Sequence, residues 1–101
     1  MAMETALLNC SVSEVIQLLK MLLIKEGYEI ENIDPQEMTV LAFRNGRWFS
    51  QKQHVMFQIS SLDSKSTRID VTANIEGWIK SKEAEEELEE KIVSTIYHYK
   101  H

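Results

Sequence analysis

Read from the N-terminus, the first strong periodicity is helical. Between residues 12 and 26, Val12, Val15, Ile16, Leu18, Leu19, Leu22 and Leu23 share one broad face when successive positions are turned by about 100°. Ser13, Glu14, Gln17, Lys20 and Lys25 lie opposite, and Met21 and Ile24 fall on that wet side with them. Ser11-Val12-Ser13-Glu14 has the spacing of a capping box, in which a hydroxyl and a carboxylate each satisfy a free backbone N–H at the helix start. Cys10 and Val15 stand where a hydrophobic staple packs, and Gly27 supplies the stop.

From Tyr28 the period shortens to two. Tyr28 and Ile30 alternate with Glu29 and Glu31 in a short strand, and Asp34-Pro35-Gln36-Glu37 reads as a turn. Met38 to Arg44 forms a second strand, followed by Asn45-Gly46, a pair that tolerates the positive φ of a tight hairpin. The next strand starts at Arg47, or near His54 after a longer loop. Val55, Phe57 and Ile59 alternate there with Met56, Gln58 and Ser60, and Leu62 to Ser66 makes a polar turn. In the last strand Ile69, Val71, Ala73 and Ile75 face one way and Arg68, Asp70, Thr72 and Asn74 the other. A closing helix over Ser81 to Tyr99 presents Ala84, Leu88, Ile92, Thr95, Ile96 and Tyr99 on its apolar side. The expected architecture is therefore α+β, in the order α-β-β-β-β-α: a four-stranded antiparallel sheet with two helices packed on one face. Residues 1–101 form a single domain in this reading, with 1–10 an N-terminal arm, 11–99 the core and 100–101 a tail.

Charge adds one asymmetry to this picture. The 101-residue chain carries a formal net charge of −5, but six glutamates lie between Glu83 and Glu90. On a helix those side chains fan around most of the circumference, so the reading is a solvated acidic face, with the first turns complementing the helix dipole. Residues 44–54 hold Arg44, Arg47 and Lys52 and no acid. Three cations on an acidic molecule argue against a nucleic-acid surface. No apolar run approaches the ~20 residues of a membrane span. Met1 to Asn9 has no basic residue and only the short apolar run Ala6-Leu7-Leu8, so no export signal is read and a cytoplasmic location is expected.

Motifs for chemistry are sparse. Cys10 is the only cysteine, His98 and His101 lie at the C-terminal end, and Gly27, Gly46 and Gly77 are isolated, so no catalytic residue, metal site or cofactor is assigned. Two sets of residues remain. Arg44, Arg47, Trp48, Phe49, Lys52 and His54 combine cations with stacking aromatics near a hairpin tip, a composition suited to an anionic ligand or to peripheral contact with a membrane. Trp48 and Phe49 also read simply as a cap on one end of the core. Met21, Ile24 and Trp78 are apolar residues outside the expected core and suggest a surface for a protein partner or for a homodimer. The leading expectation is a small protein-interaction module, possible self-association included; the alternative is a binder of anionic phospholipid or nucleic acid through residues 44–54.

The run Lys25-Glu26-Gly27-Tyr28-Glu29-Ile30, then Asp34 and Met38-Thr39-Val40-Leu41-Ala42, together with Thr67-Arg68-Ile69-Asp70-Val71, resembles small prokaryotic helix–four-strand–helix domains of unknown function. The order of elements is also similar to that of the kinase-associated C-terminal domain. That resemblance implies contact with anionic phospholipid or with a protein.

Overall fold

A computed structural model describes residues 3–45, 52–76 and 82–100. Its elements are β1 (Glu4–Leu8), α1 (Val12–Lys25), β2 (Glu29–Asp34), β3 (Thr39–Asn45), β4 (Lys52–Asp63), β5 (Ser66–Ile75) and α2 (Lys82–Lys100). All neighbouring strands run antiparallel, in the spatial order β1-β5-β4-β3-β2. The α+β class and the antiparallel sheet agree with the sequence reading, but the sheet has five strands rather than four. The extra strand is the N-terminal segment expected to be an arm.

Strand β1 pairs with β5 at the far end of the chain, Glu4 opposite Val71 and Leu8 opposite Thr67. Ala6 and Leu8 turn inward and are buried, whereas Leu7 turns outward and is 58% exposed. An apolar residue on the wet side erases the alternation that would have announced a strand. The Thr67 hydroxyl, itself buried, donates to the Cys10 carbonyl at 2.7 Å and holds the chain as it leaves β1 for α1.

Helix α1 begins as its sequence dictates. Ser11 is the N-cap, its hydroxyl accepting the Glu14 N–H, and the Glu14 carboxylate reaches back to the Ser11 N–H. It ends in a Schellman motif, Tyr28 N–H to the Leu23 carbonyl at 2.8 Å and Gly27 N–H to the Ile24 carbonyl at 3.2 Å, with Gly27 at φ +82°. Between these ends Val15, Leu19, Leu22 and Leu23 are buried. They meet Val40, Ala42, Val55, Phe57, Ile59, Ile69 and Val71 from the sheet and Leu88, Ile92 and Ile96 from α2 in one core.

The β2–β3 turn follows the sequence closely. Asp34 Oδ1 accepts the N–H groups of Gln36 and Glu37 at 3.0 and 3.1 Å. Met38 then takes φ +56°, a left-handed position that closes the turn before β3 starts at Thr39. Asn45-Gly46 does not form a two-residue hairpin, because Asn45 is already paired with Lys52. The connection between them, with Arg47, Trp48 and Phe49, lies outside the described residues, as does Trp78.

Helix α2 leaves Glu83, Glu86, Glu87 and Glu90 exposed, as the solvated-face reading expects, but turns Glu85 and Glu89 towards the sheet. Strand β5 runs past the point where β1 begins, and among the described residues no strand pairs with Ala73 and Ile75 on that side. Glu89 Oε2 accepts the Ala73 N–H at 2.7 Å, and Glu85 Oε2 accepts the Ile75 N–H at 2.9 Å. One helical turn separates the two carboxylates and two residues separate the two N–H groups. Both spacings are close to 6 Å, so the acids act as a substitute strand edge. Tyr97 continues the service along β1, its hydroxyl accepting the Leu7 N–H at 2.9 Å. Ala84, expected on the apolar side, is exposed instead.

Candidate functional site

The strand register divides the basic segment. Arg44 stands opposite Gln53, and Lys52 and His54 alternate with Gln53, so Arg44 points to the helix-covered side while Lys52 and His54 point to the open side. The three described members of the set therefore form no single patch. Period-two alternation makes this unavoidable once the strands pair.

Each of the three also has an internal partner. The Arg44 guanidinium donates through Nε and Nη2 to Gln53 Oε1 at 3.1 and 2.8 Å and through Nη1 to the Glu26 carbonyl at 3.1 Å. It lies 4.5 Å from the centre of the Tyr28 ring. Arg44 thus ties the sheet to the C-terminal end of α1, where a cation complements the helix dipole. Lys52 Nζ sits 4.3 Å from the Phe43 ring centre, and His54 Nε2 approaches Glu76 Oε1 to 3.3 Å without hydrogen-bond alignment.

Beside Arg44, a small, partly open recess of about 20 Å³ lies between the helices and Tyr28, bordered by Glu26, Lys91 and Thr95. That is room for about one water molecule. The Tyr28 hydroxyl is buried there with no hydrogen-bond partner among the described residues. Burial pushes the Tyr28 hydroxyl pKa up, and the adjacent Arg44 charge offsets part of the rise.

Two larger depressions open on the surface. One, of about 270 Å³, runs between α1 and the end of α2 and is lined by Gln17, Leu18, Met21, Tyr99 and Lys100, with Cys10 at its base. Its walls are held together where the Tyr99 hydroxyl donates to Glu26 at 3.3 Å and Lys25 approaches the Tyr99 ring at 5.7 Å. Met21 is 41% exposed, and Ile24, one turn further along the same stripe of α1, is 69% exposed. The other depression, of about 210 Å³, lies on the open side of the sheet among Glu31, Leu41, His54, Met56, Thr72 and Asn74. Sequence reasoning found His54 but not this floor, because Leu41 and Met56 meet only through cross-strand pairing.

Among the described residues no group of three or more His, Cys, Asp and Glu side chains is arranged to hold a metal ion. Likewise, no described helix is long and apolar enough to cross a membrane.

No family model matches this chain, and no curated protein does. Among solved structures, a START superfamily protein from Mycobacterium smegmatis is similar, with a TM-score of 0.51 at 11% sequence identity. The likeness covers 97% of this chain and 92% of that one. At that identity it is a likeness of fold alone.

Proposed function

We propose that the protein is a binding module that works through protein contacts, with a second copy of its own chain as the first partner. The observation that carries this reading is the outer stripe of α1. Ile24 and Met21 present apolar surface one turn apart, beside a groove whose floor includes Leu18 and Tyr99. The opposite face of the same helix is fully engaged in the core, so burying this stripe requires another molecule. Sedimentation velocity over a wide concentration range tests it. A dimer that Met21→Lys with Ile24→Lys converts to monomer supports the reading, and a wild-type protein that stays monomeric throughout removes the self-association.

A second reading concerns anionic surfaces. Lys52 lies on the open side of the sheet against Phe43, next to the connection that carries Arg47, Trp48 and Phe49 in sequence. Arg44 points to the other side of the sheet and is bonded to Gln53 and Glu26, so this reading rests on Lys52 and its sequence neighbours. This reading predicts salt-sensitive sedimentation with anionic phospholipid vesicles that Arg47→Ala with Lys52→Ala abolishes. Absence of binding at low salt defeats it.

A further inference from the structure

Glu89 is 1% exposed, yet its carboxyl group has a single hydrogen-bond partner, the Ala73 N–H on Oε2. Its other oxygen, Oε1, is buried with no partner. Among the described residues, the charged groups acting on it are all of one sign: Glu4 from β1, and Glu85 and Glu86 from α2 itself, while β5 meets it through the Ala73 backbone. No cation forms an ion pair with it among the described residues. A buried carboxylate is normally held by several donors or by a cation, because each bare oxygen forfeits its hydration. One N–H against three acidic neighbours does not meet that need. A neutral carboxyl costs less there: Oε2 still accepts from Ala73, and the partnerless Oε1 carries a hydroxyl in place of a desolvated charge.

We propose that Glu89 is a proton-operated latch between α2 and the open edge of β5: protonated, it clamps the helix on Ala73, and ionised, it loosens that contact. The site is distinct from the α1 stripe and works whether or not that stripe binds anything.

The direction of the pH dependence follows from the same surroundings. Burial raises the Glu89 pKa, the Ala73 N–H pulls it back, and Glu4, Glu85 and Glu86 add to the rise. Below the ordinary glutamate pKa both the folded and unfolded chains hold the proton. Between the ordinary pKa and the folded one, only the folded chain holds it, so stability falls as pH rises through that window. Each unit of separation is worth about a tenfold change in the folding equilibrium.

The test follows the side-chain carboxyl carbons and the backbone amides of the full chain by NMR between about pH 4 and pH 8. The Glu89 carboxyl is expected to titrate above the other glutamates. The Ala73 and Ile75 amides lose exchange protection, beyond the intrinsic rise with pH, over that same range. Glu89→Gln keeps both amides protected and removes the transition. A Glu89 carboxyl that titrates with the surface glutamates overturns the proposal, as does a Glu89→Gln protein that retains the transition. Should Glu89→Gln fail to fold, the pair Glu4→Gln and Glu86→Gln serves instead. It moves the Glu89 titration towards lower pH, and an unmoved titration overturns the proposal.

Discussion

Gly27 and Glu89 show opposite relations between a residue and its sequence context. Gly27 follows a helix and precedes an aromatic, and its φ of +82° completes a motif made entirely by residues 23–28. A Cβ there would meet nothing closer than Arg44 Cδ at 3.9 Å, so the demand for glycine comes from the backbone angle and not from crowding. Gly27→Ala is expected to cost about 1 kcal/mol, measured by urea unfolding, and an unchanged midpoint contradicts it. The same locality makes the capping box of Ser11 and Glu14 legible from four letters of sequence. Glu89 has no such neighbourhood. Its partner is a backbone group on another element, and a helical wheel sorts residues by apolar character, which assigns a glutamate to water. Only the gap left beside β5 turns it inward.

Elements with a clean period were recoverable, and β1 was not. In β5 the inward residues Ile69, Val71, Ala73 and Ile75 are all buried, as their alternation announces. In β1 the outward Leu7 is as apolar as the inward Leu8, so the pattern carries no face. The structure separates the two positions, and substitution can check that separation. Ala6→Glu puts an unpaired charge into the core and is expected to cost more than about 3 kcal/mol. Leu7→Glu on the exposed side is expected to stay within about 0.5 kcal/mol. Equal losses for the two variants in urea unfolding would show that β1 does not pair with β5 in this register. The basic segment fails at the same scale. Residues 44, 52 and 54 looked contiguous as a composition, but β3 and β4 deal them to opposite faces.

At the scale of the whole molecule, β4 and β5 lie inside the sheet, while β2 forms one edge, carries a register shift near Glu31 and is largely exposed. Such an edge resists pairing with other chains, since the bulge and the acidic side chains spoil a flat template. The opposite edge is covered by Glu85, Glu89 and Tyr97. Strand addition is therefore disfavoured at both sides of the described sheet. Hydrogen exchange should rank β4 and β5 as the slowest strands and β2 as the fastest. Equal protection in β2 and β4 would contradict this ordering.

The chain by itself determined its helix limits, its two turn-forming sites near Gly27 and Asp34, and the inward faces of β4 and β5. Each of these depends on residues within a few positions of one another, where spacing alone sets direction. Tertiary structure decided the rest: β1 joins the sheet because β5 leaves an edge to fill, Glu89 turns inward because its carboxylate takes up the Ala73 N–H, and Arg44 braces the end of α1 because its guanidinium reaches the Glu26 carbonyl. These outcomes depend on which backbone groups remain unpaired after the sheet assembles, and that inventory exists only in three dimensions.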